Sequence, residues 1–152
     1  MSEAGCLAHA RRKFHELWAH HKSAVGQQAL ALFARLYEVE REVADLPEDE
    51  RRRIRQNKGK PIADALHAWL TAQRQKVPPG SATARATDYS LTRWAALTRY
   101  LDDPRLPADN NRVENLIRPI AVGRNNWLFA GSLRAGQRAA AVMSLILSLI
   151  HI

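Results

Sequence analysis

The sequence predicts a mainly α fold. Three observations carry that expectation: a long run of apolar residues at helical spacing, shorter apolar stripes on both sides of it, and Gly and Pro sparse enough to act as breaks rather than as a composition. The run is Val25, Ala29, Leu32, Leu36, Val39, Val43 and Leu46, which alternates steps of four and three along one helix as an a/d seam. About three heptads are too few for a long coiled coil, so a helical hairpin or small bundle is expected.

The elements follow in order. Gly5-Cys6-Leu7-Ala8-His9-Ala10-Arg11-Arg12-Lys13-Phe14 opens a basic segment that becomes helical by Ala8. Leu7, Phe14, Leu17 and Trp18 share one face, with Arg11, Arg12 and Lys13 mostly on the other. The seam helix is expected to end at Pro47, and Glu48-Asp49-Glu50 gives the next helix an acidic first turn. Arg51, Arg52, Arg53 and Arg55 form a basic cluster, relieved at Gly59-Lys60-Pro61. From Ile62 a helix carries Leu66, Trp69 and Leu70 on one side, and Val77-Pro78-Pro79-Gly80-Ser81 breaks the chain. One further helix is expected over residues 81–101, striped by Leu91, Trp94, Leu97 and Leu101, with Asp102-Asp103-Pro104 ending it. Residues 135–146 are apolar and alanine-rich, the pattern of a well-packed final helix. Short strands are expected only near Gly5 and Trp127.

Charge narrows the partners. Twenty-three basic residues against fifteen acidic ones give a formal +8 in 152 residues, which favours an anionic partner. Nucleic acid leads, and an anionic membrane surface is second. A single cysteine, Cys6, excludes an internal disulfide framework and suits a reducing cytoplasm. Cys6 and His9 have a ligand-like C-x-x-H spacing, but no second pair completes a zinc site. No signal peptide is recognisable, and the apolar run of residues 139–152 is too short and too serine-interrupted to span a bilayer.

The chemistry concentrates late in the chain. Asp109-Asn110-Asn111-Arg112-Val113-Glu114-Asn115-Leu116-Ile117-Arg118-Pro119 sets acidic residues among asparagines and arginines at the start of a helix. With Asn111 as N-cap, Glu114 falls at the third helical position, an Asn-x-x-Glu capping-box pattern. The functional alternative makes Glu114 a hard oxygen ligand for a divalent cation. Five residues turn a helix by about 140°, so Asp109 is expected to cap or turn rather than share that face. Arg112, Arg118, Arg124, Arg134 and Arg138 stand against Asp109 and Glu114, a local excess of +3 suited to phosphates. Gly123-Arg124-Asn125-Asn126-Trp127-Leu128-Phe129-Ala130-Gly131-Ser132 adds amides and a ring able to stack on an unpaired base.

Three blocks together resemble the insertion-sequence-66 family of bacterial transposases. Asp109-Asn110-Asn111-Arg112-Val113-Glu114 with Arg118-Pro119 resembles its D-N-N-x-x-E-x-x-x-R-P signature, and residues 123–132 resemble its G-R-x-N-W-L-F-A-G-S block. Residues 5–14 resemble its G-C-W-A-H-A-R-R-K-F block, with Leu7 in place of tryptophan. The order and spacing match over almost the whole chain to about Ile146.

That resemblance implies a DDE transposase with a ribonuclease H-like catalytic core, in which three acidic residues hold two divalent metals, Mg²⁺ or Mn²⁺. Glu114 matches the third acid. The two aspartates lie upstream of the first block in this family, before Met1; Asp64, Asp88, Asp102 and Asp103 match neither. The implied organisation is the end of the ribonuclease H-like core and a basic helix over 1–22, a helical insertion over 23–101, and a return to the core over 102–146. Residues 147–152, Leu-Ser-Leu-Ile-His-Ile, are expected to be a non-native tail, because they read in frame as CTGTCTCTTATACACATC, which resembles the mosaic-end adapter of tagmentation libraries.

The expected partner is DNA, at insertion-sequence ends and target, contacted by Arg11, Arg12, Lys13, Arg112, Arg118, Arg124, Asn125, Asn126 and Trp127. A homo-oligomer is implied for the complete transposase, located in the bacterial cytoplasm with no membrane association. With one acid of three, the chain is expected to be inactive alone. The rival reading is a non-catalytic, basic helical DNA-binding or interaction module.

Overall fold

The computed structural model describes residues 5–111, 114–116, 118 and 131–150, with side chains described except at 143 and 146–150. The chain divides into two compact units, Met1–Asp109 and Asn110–Ile152. Helix dominates, and no strand occurs among the described residues. The expected strand near Gly5 is absent: this residue leads directly into a helix, and the one near Trp127 falls outside the described residues.

The first unit is built from α1 (Leu7–His21), α2 (Ala24–Glu42), α3 (Glu48–Ile54), α4 (Lys60–Gln75), α5 (Ala82–Thr92) and α6 (Trp94–Thr98). Serines start two of these helices. The Ser23 hydroxyl accepts from the Gly26 N–H (3.3 Å) and Ser81 from Ala84 (3.0 Å), each satisfying a helix-start donor for about 1 kcal/mol. Lys22, at φ 48°, takes the left-handed conformation that ends α1 and lets α2 fold back along it.

Burial refines the seam. Gly26, Ala29, Phe33, Leu36 and Val39 are the buried residues of α2, so Phe33 and Gly26 enter the core while Val25 and Leu32 sit at its margin. Phe14 of α1 meets Phe33 with ring centroids 5.9 Å apart. A Cβ at Gly26 would lie 2.9 Å from the Phe14 carbonyl oxygen and the Trp18 nitrogen, so the two helices approach at a contact only glycine permits. α2 ends at Glu42, earlier than Pro47, through a turn capped by Arg51. That guanidinium donates to the carbonyls of Val43, Ala44 and Leu46.

Two further expectations are corrected. Pro61 does not mark a new start: α3, a π segment at Arg55–Gly59 and α4 run on as one helical stretch. The Lys60 N–H bonds the Arg55 carbonyl five residues back, and that widened turn precedes the proline, whose ring and missing N–H an ordinary α turn would not accept. The expected helix over 81–101 is instead α5, α6 and a 3-10 turn at Arg99–Leu101, broken at Arg93. Leu97, Tyr100 and Leu101 still reach the core.

In the second unit, Asn111, residues 114–116 and Arg118 are helical, and α7 spans Leu133–Ile150. Ser132 caps α7 by accepting from the Ala135 N–H at 3.2 Å. The expected well-packed final helix is not what forms: Leu133 is 81 %, Leu145 66 % and Val142 45 % exposed. Alanine-rich sequence suffices for a helix, whereas packing needs a covering surface.

Candidate functional site

The approach to the Asp109-Asn110-Asn111 motif is held firmly by the first unit. Arg55, read from the sequence as one of a basic cluster, is 3 % exposed and grips Glu40 through two bonds, Nε to Oε1 at 2.9 Å and Nη2 to Oε2 at 2.6 Å. Its Nη1 donates to the carbonyls of Tyr100 (2.8 Å), Leu106 (3.1 Å) and Asp103 (3.4 Å). Arg51 donates to Pro104 (3.0 Å), and Gln56 to the Leu101 carbonyl (2.9 Å) and the Asp102 carboxylate (2.8 Å). Arg51 of α3 and Arg55 and Gln56 of the π segment therefore hold most of residues 100–106 by their backbone oxygens. Burial pushes the Tyr100 phenol up, the Glu40 charge adds to this, and Arg55 opposes it.

The first sequence block meets the motif's entry across about a hundred residues. The Leu7 N–H donates to the Ala108 carbonyl (3.0 Å), and the Gly5 N–H to the Ala96 carbonyl (2.9 Å). A Cβ at Gly5 would stand 2.8 Å from the Leu97 nitrogen, which accounts for glycine there. Leu7 itself is buried in the common core. Asp109 is engaged by Tyr37 of α2. Burial raises that phenol first, the Asp109 charge and hydrogen bond raise it further, and Arg11 of α1 opposes them.

In the second unit the Glu114 N–H donates to the Asn110 carbonyl (2.9 Å), and Asn111 is already helical. Asn110 is thus the N-cap and Glu114 occupies the fourth helical position, not the third. The capping-box register expected from Asn111 does not form. Glu114 and Arg118 are both exposed on this helix.

Of the other expected contacts, Arg11 and Arg12 are exposed on α1, and Lys13 is half-buried with its Nζ 4.7 Å from the Tyr89 ring centroid. Arg112, Arg124, Asn125, Asn126 and Trp127 lie outside the described residues. The four aspartates outside the motif named above have structural partners: Asp64 pairs with Lys60, Asp88 with Arg74 and Asp103 with Arg105, and Asp102 accepts from Gln56. Hydrogen bonds from the Arg105 side chain and backbone hold the Asp103 carboxyl down at about 2. Tyr37 and the Arg55–Glu40 clamp carried no signal in the sequence, because both depend on partners far along the chain.

Among the described residues no helix is long and apolar enough to cross a membrane. No solved structure matches the chain. Three uncharacterized proteins of Sinorhizobium fredii are similar to it: y4hP at 38 % identity, y4jD at 34 % and y4qI at 38 %, each over 94 % of this chain. The chain spans only 28 %, 28 % and 26 % of their respective lengths. The model of the Transposase IS66 family matches residues 1–138, so the chain belongs to that family of transposases.

Proposed function

We propose that this chain is the part of a DDE transposase that brings the third acidic residue, Glu114, and part of the DNA surface to a ribonuclease H-like catalytic domain. The observation that carries the reading is Glu114 itself. It stands in the family's D-N-N-x-x-E register, on an exposed helical position. An anionic oxygen donor at such a place suits Mg²⁺ or Mn²⁺.

Among the acids of the motif, Glu114 supplies one ligand position. Glu114 supplies a hard carboxylate, whereas the Asp109 carboxylate is engaged by Tyr37 and serves to fix the motif's entry. Two bound divalent ions would supply charge neutralisation at the scissile phosphate and an acidified water and 3′-hydroxyl, but holding both about 3.5–4 Å apart takes several carboxylates. The chain's own contribution is therefore to orient Glu114 and to bind backbone phosphates with Arg11, Arg12, Lys13, Arg112, Arg118 and Arg124, while Asn125, Asn126 and Trp127 engage exposed bases. A DNA partner and a homo-oligomer in the complete enzyme belong to the same reading.

The test uses the chain alone and a longer family protein containing it. Residues 1–152 should neither nick nor join DNA with Mg²⁺ or Mn²⁺. The longer protein should do both, and Glu114→Gln in it should abolish strand cleavage with little change in duplex affinity. Metal-dependent cleavage by residues 1–152 alone, lost on Glu114→Gln, would overturn the assignment of roles.

A further inference from the structure

We propose that the cleft between α1 and α5 is a further DNA-phosphate site, with Lys13 and Arg85 lining it and Arg93 supplying a contact beside it, at the Tyr89 ring that Lys13 also meets; this rests on the reading of the chain as part of a DNA-acting transposase. Lys13 lies in the first sequence block, whereas Arg85 and Arg93 belong to none of the three, so the site extends the DNA surface onto a helix that the motifs do not contain.

The cleft has a volume of about 230 Å³ and is lined by Lys13, Glu16, His20 and His21 of α1 and by Arg85 of α5, floored by Ala86. That volume is below the roughly 300–1,000 Å³ of pockets that enclose whole small molecules or cofactors, and it suits a phosphate group entering from an extended ligand. Its polar groups are dominated by nitrogen donors, with Glu16 as the one carboxylate among its lining residues.

Elsewhere in the first unit Arg53, Arg55, Lys58, Lys60, Arg74 and Arg105 each pair with a carboxylate. Among the described residues, no carboxylate pairs with Lys13, Arg85 or Arg93. Instead the Tyr89 ring gathers two of them: Lys13 Nζ lies 4.7 Å and the Arg93 guanidinium carbon 4.6 Å from its centroid. Arg85 is anchored through Nη1 to the Gly80 carbonyl, which leaves the rest of its fork for a ligand. Cations held by a ring and a carbonyl lose less side-chain freedom on meeting a phosphate than free ones would.

Duplex DNA is the favoured occupant, because its phosphates recur along a rigid backbone, and Lys13 of α1, Arg85 of α5 and Arg93 at the end of α5 can engage it with no base contact. Tyr89, with both cations over its ring, is committed to holding them rather than to stacking on a base.

The test measures duplex affinity of the chain against salt by fluorescence anisotropy. Arg85→Gln/Arg93→Gln removes two phosphate contacts and should flatten the slope of log K against log salt by about 1.8. Glu16→Gln, at an exposed position, should move affinity the opposite way, tightening binding. Arg118→Gln/Arg124→Gln reports separately on the motif surface. An unchanged slope in Arg85→Gln/Arg93→Gln together with a flattened one in Arg118→Gln/Arg124→Gln overturns the cleft and leaves the transposase reading intact. No salt-dependent duplex binding by the unaltered chain, or binding to vesicles of anionic phospholipid in place of DNA, overturns both. Circular dichroism of each variant identifies any loss of affinity that comes from unfolding, in which case Glu16→Gln alone decides.

Discussion

Arg55 shows how far a residue's role can lie from its local pattern. In the sequence it closes a basic cluster; in the fold it is buried, paired with Glu40 and bonded to three carbonyls of the segment that leads to the motif. Breaking a buried pair by removing one partner leaves an uncompensated charge and costs about 3–5 kcal/mol. Glu40→Ala should therefore lower the urea midpoint by a loss of that order. Arg55→Met should cost at least as much, because it also strips the carbonyls of Tyr100, Asp103 and Leu106 of a donor. Equal midpoints in the three proteins would reduce the clamp to a bystander. Tyr37 gives a second test at this scale. Its phenol is raised above the ordinary 10.0 by burial and by Asp109, so at alkaline pH the folded chain holds a proton that the unfolded chain has lost. The stabilisation is whole below about pH 10 and falls as pH rises beyond it. Denaturation followed across that window should show a declining stability, with a shallower decline in Tyr37→Phe. Glu114 was legible as a residue from its motif, whereas its cap register was not: a shift of one position between Asn111 and Asn110 is beyond what side-chain identities specify.

At the scale of elements, what the sequence made legible is what repeats locally. The apolar spacing from Val25 to Val43 marks α2, and the break ending at Ser81 marks the start of α5. The phase of the seam was half a step off, since Phe33 rather than Leu32 faces α1 and Gly26 sits where a larger side chain would be expected. That phase is set by close approach of two backbones, a feature with no signature in hydrophobic spacing. It yields an ordered expectation for substitutions. Gly26→Ala gains about 1 kcal/mol in helix propensity. Against this, its Cβ would press on the Phe14 oxygen and Trp18 nitrogen at 2.9 Å, an overpacking cost of about 1–3 kcal/mol. The net effect should be a lower melting temperature, and Gly26→Val, with more bulk and less propensity, should fall further. A melting temperature raised by Gly26→Ala would show that α1 and α2 can separate at little cost. The π segment before Pro61 was illegible for a related reason: proline reads as a break until a widened turn accepts it.

For the whole molecule, the decisive fact is where the core ends. Among the described residues, every member of the buried apolar cluster, from Leu7 to Ala108, lies within Met1–Asp109, as do the Arg55–Glu40 clamp and the Tyr37–Asp109 contact. A unit of that length is within the usual range for a domain that folds by itself. The second unit offers α7, whose described side chains are mostly exposed, and an isolated helix of that size is marginal in water. Stability and the motif's glutamate are thus carried by different parts of the chain, which is the arrangement expected if Glu114 must still be placed by other surfaces before it acts. Residues 1–109 produced alone should keep a helical circular dichroism spectrum and melt cooperatively, within a few degrees of the whole chain. Glu114→Gln in the whole chain, at an exposed position outside the buried apolar cluster, should leave that melt nearly unmoved. If residues 1–109 instead fail to melt cooperatively while the whole chain does, then residues 110–152 contribute to the core and the division at Asp109 is wrong.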